Sequence, residues 1–177
     1  MIYFVRHGES EANVRNVFAG QKDDSLLTEK GKEQALATAK EIKKENLTFD
    51  RIISSPLQRS LETARIIAKE IGFDFSNIII DNRINEYDMG SITGKPYGVI
   101  SSEILVGAEN AENPELFKER VYFCIKELNQ LPENILVVSH AGVGRILETI
   151  KEGKEAKYFY DLPPFPNASI IKIDWIK

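Results

Sequence analysis

Residues 134–152 read NILVVSHAGVGRILETIKE: an apolar β-branched run that stops at Ser139, a polar break at His140, then an amphipathic stretch. A short apolar run bounded by a turn signal reads as a buried strand. Apolar residues three and four apart, here Val143, Ile146, Leu147 and Ile150, mark one face of a helix. The segment is therefore one strand–helix unit. Working outward, the same alternation recurs. IYFV (2–5), FDRII (49–53), NIII (77–80) and SIIKI (169–173) read as strands. The amphipathic stretches 28–45, 56–71 and 114–128 read as helices. Strands alternating with helices give an α/β fold, a three-layer sandwich whose largely parallel central sheet is flanked by helices. Helix starts are expected at Thr28, at Ser55 with Pro56 as the first helical residue, and at Asn113 with Pro114 in the same role; Gly72 is expected to close the second helix.

A chain of 177 residues, 42% hydrophobic and 28% charged, has the size and composition of one globular domain, and no linker or repeat divides it. Residues 81–113 lack clear periodicity and are expected to form an irregular excursion over the site, with one short helix near Ile100. The net charge of −4 argues against nucleic acid or an anionic membrane as partner, so any anion site must be a local cluster of cations. The lone Cys124 cannot form an internal disulfide, and its place in an apolar pattern makes it a core residue. With no signal-peptide pattern or long apolar run, a cytoplasmic protein is expected. Oligomeric state is not encoded in any motif; a homodimer is compatible with the sequence.

In open α/β sheets, ligands bind beyond the carboxyl ends of the strands. Arg6 and His7 follow the first strand. Arg59 lies in the first turn of the helix after the second, Glu86 follows the third, and His140 follows the strand that opened this reading. Each residue alone is as readily structural. Yet the chain has only two histidines, and both stand where a β-run gives way to a glycine-containing segment, RHGE and SHAG. Arg6 and His7 can share a site only where the strand ends, and Gly8 permits that turn. A neutral imidazole with one N–H held by a backbone carbonyl can attack phosphorus through its other nitrogen, and flanking guanidiniums keep it neutral. Arg6 and Arg59 would then hold the phosphoryl oxygens, Arg59 with help from a helix N-terminus. Two histidines without clustered carboxylates are not the ligand set of a dinuclear metal site, and no P-loop is present, so no metal or cofactor is expected.

Four motifs in order, VRHGESEAN, SSPLQRSLETA, INEYDMG and VVSHAGVGR, resemble those of the histidine phosphatase superfamily, the phosphoglycerate-mutase-like group. The resemblance spans nearly the whole chain. It implies a phosphohistidine at His7, a phosphoryl pocket of Arg6, Arg59 and His140, and Glu86 as general acid. It further implies substrate contacts from Ser10 (where Thr is more usual), Asn13, Gly20, Gln21, Ala141 and Asn167. The chain departs from the family at Asn113, where a Ser is usual, and at Ile92 and Thr93, where Trp and Glu are common. The expected activity is metal-independent hydrolysis of a small phosphorylated metabolite. The alternatives are a phosphoglycerate mutase and a phosphate-ligand module without turnover. Tyr87, Tyr97, Tyr158 and Tyr160 are candidates for the leaving-group wall or for packing.

Overall fold

The computed structural model describes residues 1–98 and 100–176. Its frame is a five-stranded sheet built from β1 (Ile2–Arg6), β2 (Arg51–Ser54), β3 (Ile79–Ile80), β4 (Ile135–Ser139) and β5 (Ile170–Ile173). The spatial order is β3-β2-β4-β1-β5. All neighbours run parallel except β1 and β5, which are antiparallel. The helices are α1 (Glu11–Val14), α2 (Glu29–Lys44), α3 (Gln58–Ile71), α4 (Ser102–Val106), α5 (Pro114–Asn129) and α6 (Ala141–Lys151), joined by short 3₁₀ turns.

Successive side chains of a strand point to opposite faces, and the two faces here bury two separate cores. Val5, Ile52, Leu136 and Val138 pack with Ala39 and Ile42 of α2 and Ala64 and Ile67 of α3. Phe4, Ile53, Ile135 and Val137 pack with Phe117, Val121 and Cys124 of α5 and Val143, Ile146 and Leu147 of α6. That gives the expected α/β three-layer sandwich. Cys124 lies in the second core, where burial first and then Asp81 push its thiol up to about 12, too high for a nucleophile at neutral pH.

Three expected caps hold: the side chains of Thr28 and Asn113 accept first-turn amides, and Gly72 closes α3 with a left-handed φ of 77°. The cap at Ser55 does not. α3 starts at Gln58 with Leu57 as the flanking residue, and Pro56 lies outside the helix. The Ser55 hydroxyl accepts the Leu57 amide and meets His140 instead, at 3.3 and 2.5 Å. Gly8 also needs a different account. It has no positive φ. A Cβ there would run into the backbone of Gly31 in α2, so glycine is required by a close helix approach rather than by the turn.

The 81–113 excursion contains α4, just beyond Ile100. It docks on residues 16–18 through the amides of Phe18, Gly94 and Tyr97, which donate to the carbonyls of Lys95, Phe18 and Asn16. Among the described residues, no helix is long and apolar enough to cross a membrane.

Candidate active site

β1 and β4 are parallel neighbours in a register that pairs Arg6 with Ser139, so their next residues, His7 and His140, meet at the carboxyl edge of the sheet. The chain leaves β1 toward α2 on one face and β4 toward α6 on the other. This is the switch point at which a crevice opens. The rings lie 5.3 Å apart, edge to face.

His7 Nδ1 sits 2.7 Å from the carbonyl of Gly8. Only the N–H form of Nδ1 makes that bond, so the neutral ring presents Nε2 as a bare base. Burial first, then Arg59 and Arg6, hold the imidazole well below its ordinary 6.5. His140 is held down in the same way by burial, Arg59 and His7. Its Nε2 meets the Ser55 hydroxyl, while its buried Nδ1 has no partner among the described residues.

Two guanidiniums flank this pair. Arg59, buried at the start of α3, donates to the carbonyls of Asp23 and Gly20 at 2.8 and 2.9 Å. Arg6 donates from Nη1 to the carbonyl of Phe165 at 2.5 Å, and its Nε is buried without a partner. Burial lowers the pKa of both, partly offset by Glu86. Their anchors are carbonyls, which leave a positive charge unneutralised. Among the described residues neither is ion-paired. A buried cation without a counter-ion costs several kcal/mol, roughly, and an incoming anion removes that cost.

Glu86 completes the site. Its carboxylate accepts the amides of Tyr87 at 2.9 Å and Gly142 at 3.2 Å. A Cβ at Gly142 would fall on that carboxylate, so the first turn of α6 has to carry glycine there. Arg120 of α5 fixes the loop from behind. It donates to the carbonyls of Arg83, Asn85 and Glu86 at 2.7–2.9 Å and pairs with Glu112 at 2.6 Å.

A cavity of about 390 Å³ opens over these groups. Of the residues expected from sequence, Arg6, His7, Ser10, Asn13, Gly20, Arg59, Glu86, Ala141 and Asn167 line it. Two do not. Gln21 stands behind Glu86 and donates to its carbonyl at 2.7 Å, and His140 lies beneath His7. Ser10 caps α1 in a reciprocal capping box with Asn13. Asn13 Oδ1 also accepts from Asn167, which leaves the Asn13 amide nitrogen as the group it offers the cavity. Tyr97 and Tyr160 form walls, whereas Tyr87 is buried in the core and Tyr158 is exposed. Sequence reasoning missed Phe18, Met89 and Arg145 on the walls and Arg120 behind them. Arg145 had a signal, four residues after Ala141 on one helix face. Arg120 had none.

The histidine phosphatase superfamily (branch 1) profile matches residues 2–177. The chain belongs to this superfamily. Among curated superfamily relatives, a 2,3-bisphosphoglycerate-dependent phosphoglycerate mutase of Bartonella bacilliformis is 40% identical over 93 residues, 52% of this chain and 45% of that protein. The match thus spans under half the length of that relative. A protein of Enterobacter sp. (strain 638) named "Probable phosphoglycerate mutase GpmB" is 35% identical over 84% of this chain and 74% of its own. Among solved structures, a mycobacterial glucosyl-3-phosphoglycerate phosphatase in complex with VO3 superposes with a TM-score of 0.78 at 22% identity, covering 96% of this chain and 88% of that one. A phosphoserine phosphatase of Entamoeba histolytica in complex with 3-phosphoglyceric acid gives 0.78 at 23% identity, over 96% and 87%. At these identities the structural likeness establishes the superfamily fold.

Proposed function

We propose that the protein is a phosphomonoester hydrolase working through a phosphohistidine at His7. The observation that carries this reading is a neutral imidazole, Nδ1 fixed on Gly8, standing between two buried guanidiniums without counter-ions. Phosphoryl transfer requires in-line positioning of the nucleophile and cations on the equatorial oxygens, and this edge of the sheet supplies both. Nε2 attacks phosphorus while Arg6 and Arg59 hold the phosphoryl oxygens, with His140 Nδ1 as a further donor when it carries the proton. Glu86, in its protonated form, gives its proton to the leaving alkoxide as the P–O bond breaks. In the second step Glu86 takes a proton from water, which attacks the phosphohistidine and releases phosphate.

The names of the curated relatives favour a second reading, a phosphoglycerate mutase, in which the same phosphohistidine returns its phosphoryl group to a bound acceptor. Both readings use the same four side chains and differ in the acceptor. A third, a phosphate-binding module, needs the arginines but neither nucleophile nor acid. The deciding assay follows phosphate release from p-nitrophenyl phosphate and a panel of alkyl phosphates in EDTA, alongside interconversion of 2- and 3-phosphoglycerate. Hydrolysis persisting in EDTA, without interconversion, is expected. Efficient interconversion with little release would establish the mutase, and binding without either reaction would leave the module.

A further inference from the structure

Four charged side chains line the cavity: Arg6, Arg59, Arg145 and Glu86. In the proposed first step Glu86 enters protonated and uncharged, and the phosphoryl dianion is matched by Arg6 and Arg59. One cation is left over. Arg145 lies in the second turn of α6, three residues beyond the Gly142 amide that holds Glu86, so about 4.5 Å farther along the helix. Glu86 marks the leaving-group side of phosphorus, and Arg145 therefore stands beside the alcohol portion of the substrate.

Its guanidinium is preorganised. Nε donates to the carbonyl of Leu162 at 2.8 Å, and Cζ lies 4.0 Å over the ring of Tyr160. These contacts orient the planar group without neutralising it, since the tyrosine is uncharged and the Leu162 partner is a carbonyl. Among the described residues Arg145 forms no ion pair, and neither terminal nitrogen has a hydrogen-bond partner. Arg145 is also near enough to Arg6 to oppose its charge. The wall beside it is aromatic: Phe18 packs edge-on against Tyr97 with centroids 4.9 Å apart and tilts against Tyr160 at 5.7 Å.

We propose that the alcohol portion of the substrate carries a second anionic group, a carboxylate or a second phosphate, which takes the two terminal nitrogens of Arg145 while the intervening carbons pack on the Phe18–Tyr97–Tyr160 wall. The inference rests on the phosphomonoesterase reading and names its substrate class. The bland account of Arg145 is a staple that ties residues 160–162 to α6. A staple affects every substrate alike, whereas an anion subsite separates charged from neutral leaving groups.

The test compares three substrates, 3-phosphooxypropanoate, its primary amide, and propane-1,3-diol bisphosphate, with wild type, Arg145→Met and Arg145→Lys. Wild type should prefer at least one anionic substrate over the amide in kcat/KM by about tenfold or more, the scale of one charge-assisted hydrogen bond. Arg145→Met should collapse that ratio toward one, and Arg145→Lys should restore part of it. Which anionic substrate responds identifies the group as carboxylate or phosphate. Equal kcat/KM for all three in wild type, or an equal loss on all three in Arg145→Met, overturns the subsite. Calorimetric titration with 4-phosphonobutanoate and 4-phosphonobutanamide separates this outcome from failure of the hydrolase reading. If nothing is turned over yet the carboxylate analogue binds more tightly in an Arg145-dependent way, the subsite stands and the hydrolase falls. If nothing is turned over and the analogues bind alike, the subsite falls as well.

Discussion

His7 and Arg59 show how burial converts ordinary side chains into chemistry. Arg59 is among the largest fully buried side chains, and its two carbonyl contacts tie the Gly20–Asp23 turn to α3 while the charge stays available to a ligand. Arg59→Ala should therefore lower kcat/KM by about 2–4 kcal/mol, and also lower stability by about 1–3 kcal/mol because two buried carbonyls lose their donor. Steady-state kinetics together with urea denaturation check both losses, and unchanged kinetics would return Arg59 to a structural role. The histidines carry a second prediction. Both are held well below 6.5 in the folded state. Below pH 6.5 the unfolded chain takes up protons that the folded chain refuses, so stability is full above that pH and falls as pH drops through it. The slope approaches about 1.4 kcal/mol per pH unit for each histidine. Urea denaturation at pH 7.5 and 5.5 should show that fall, and the double variant His7→Gln, His140→Gln should flatten it. An unaltered slope would mean that other groups carry the acid sensitivity.

At the scale of elements, the site is assembled by strand ends, and for that reason much of it was legible. Arg6, His7 and His140 follow apolar runs whose ends the sequence marks, and the parallel pairing of β1 with β4 brings the two histidines together. Ser55 was misread because its hydroxyl is committed to a partner 85 residues away, which no local capping rule anticipates. Gln21 and Arg120 escaped for the same reason: each acts on the carbonyl of Glu86 across a long sequence separation. Their position predicts a specific effect. Arg120→Met should loosen the loop that carries Glu86, slowing phosphorylation of His7 more with an alkyl phosphate than with p-nitrophenyl phosphate, since only the alkoxide needs protonation as it leaves. Arg120→Lys should recover part of the loss. Single-turnover rates on both substrates are the measurement. Equal slowing would make Arg120 a stability residue without a positioning role.

For the whole molecule, two cores on opposite faces of one sheet fix the switch point, and every group of the proposed chemistry is fastened to that edge by backbone contacts. The sandwich was readable from alternation alone. The leaving-group wall was not, because Phe18, Met89, Tyr97 and Arg145 come from four separate segments that only the tertiary fold collects. The central claim is that His7 is the nucleophile. Rapid quenching of wild type with ³²P-labelled substrate, followed by digestion and peptide mapping, tests it most directly. The account predicts acid-labile, base-stable label on the peptide containing His7 and no label in His7→Ala, with the variant still folded. Label persisting in His7→Ala, or residing on any other residue, would contradict it.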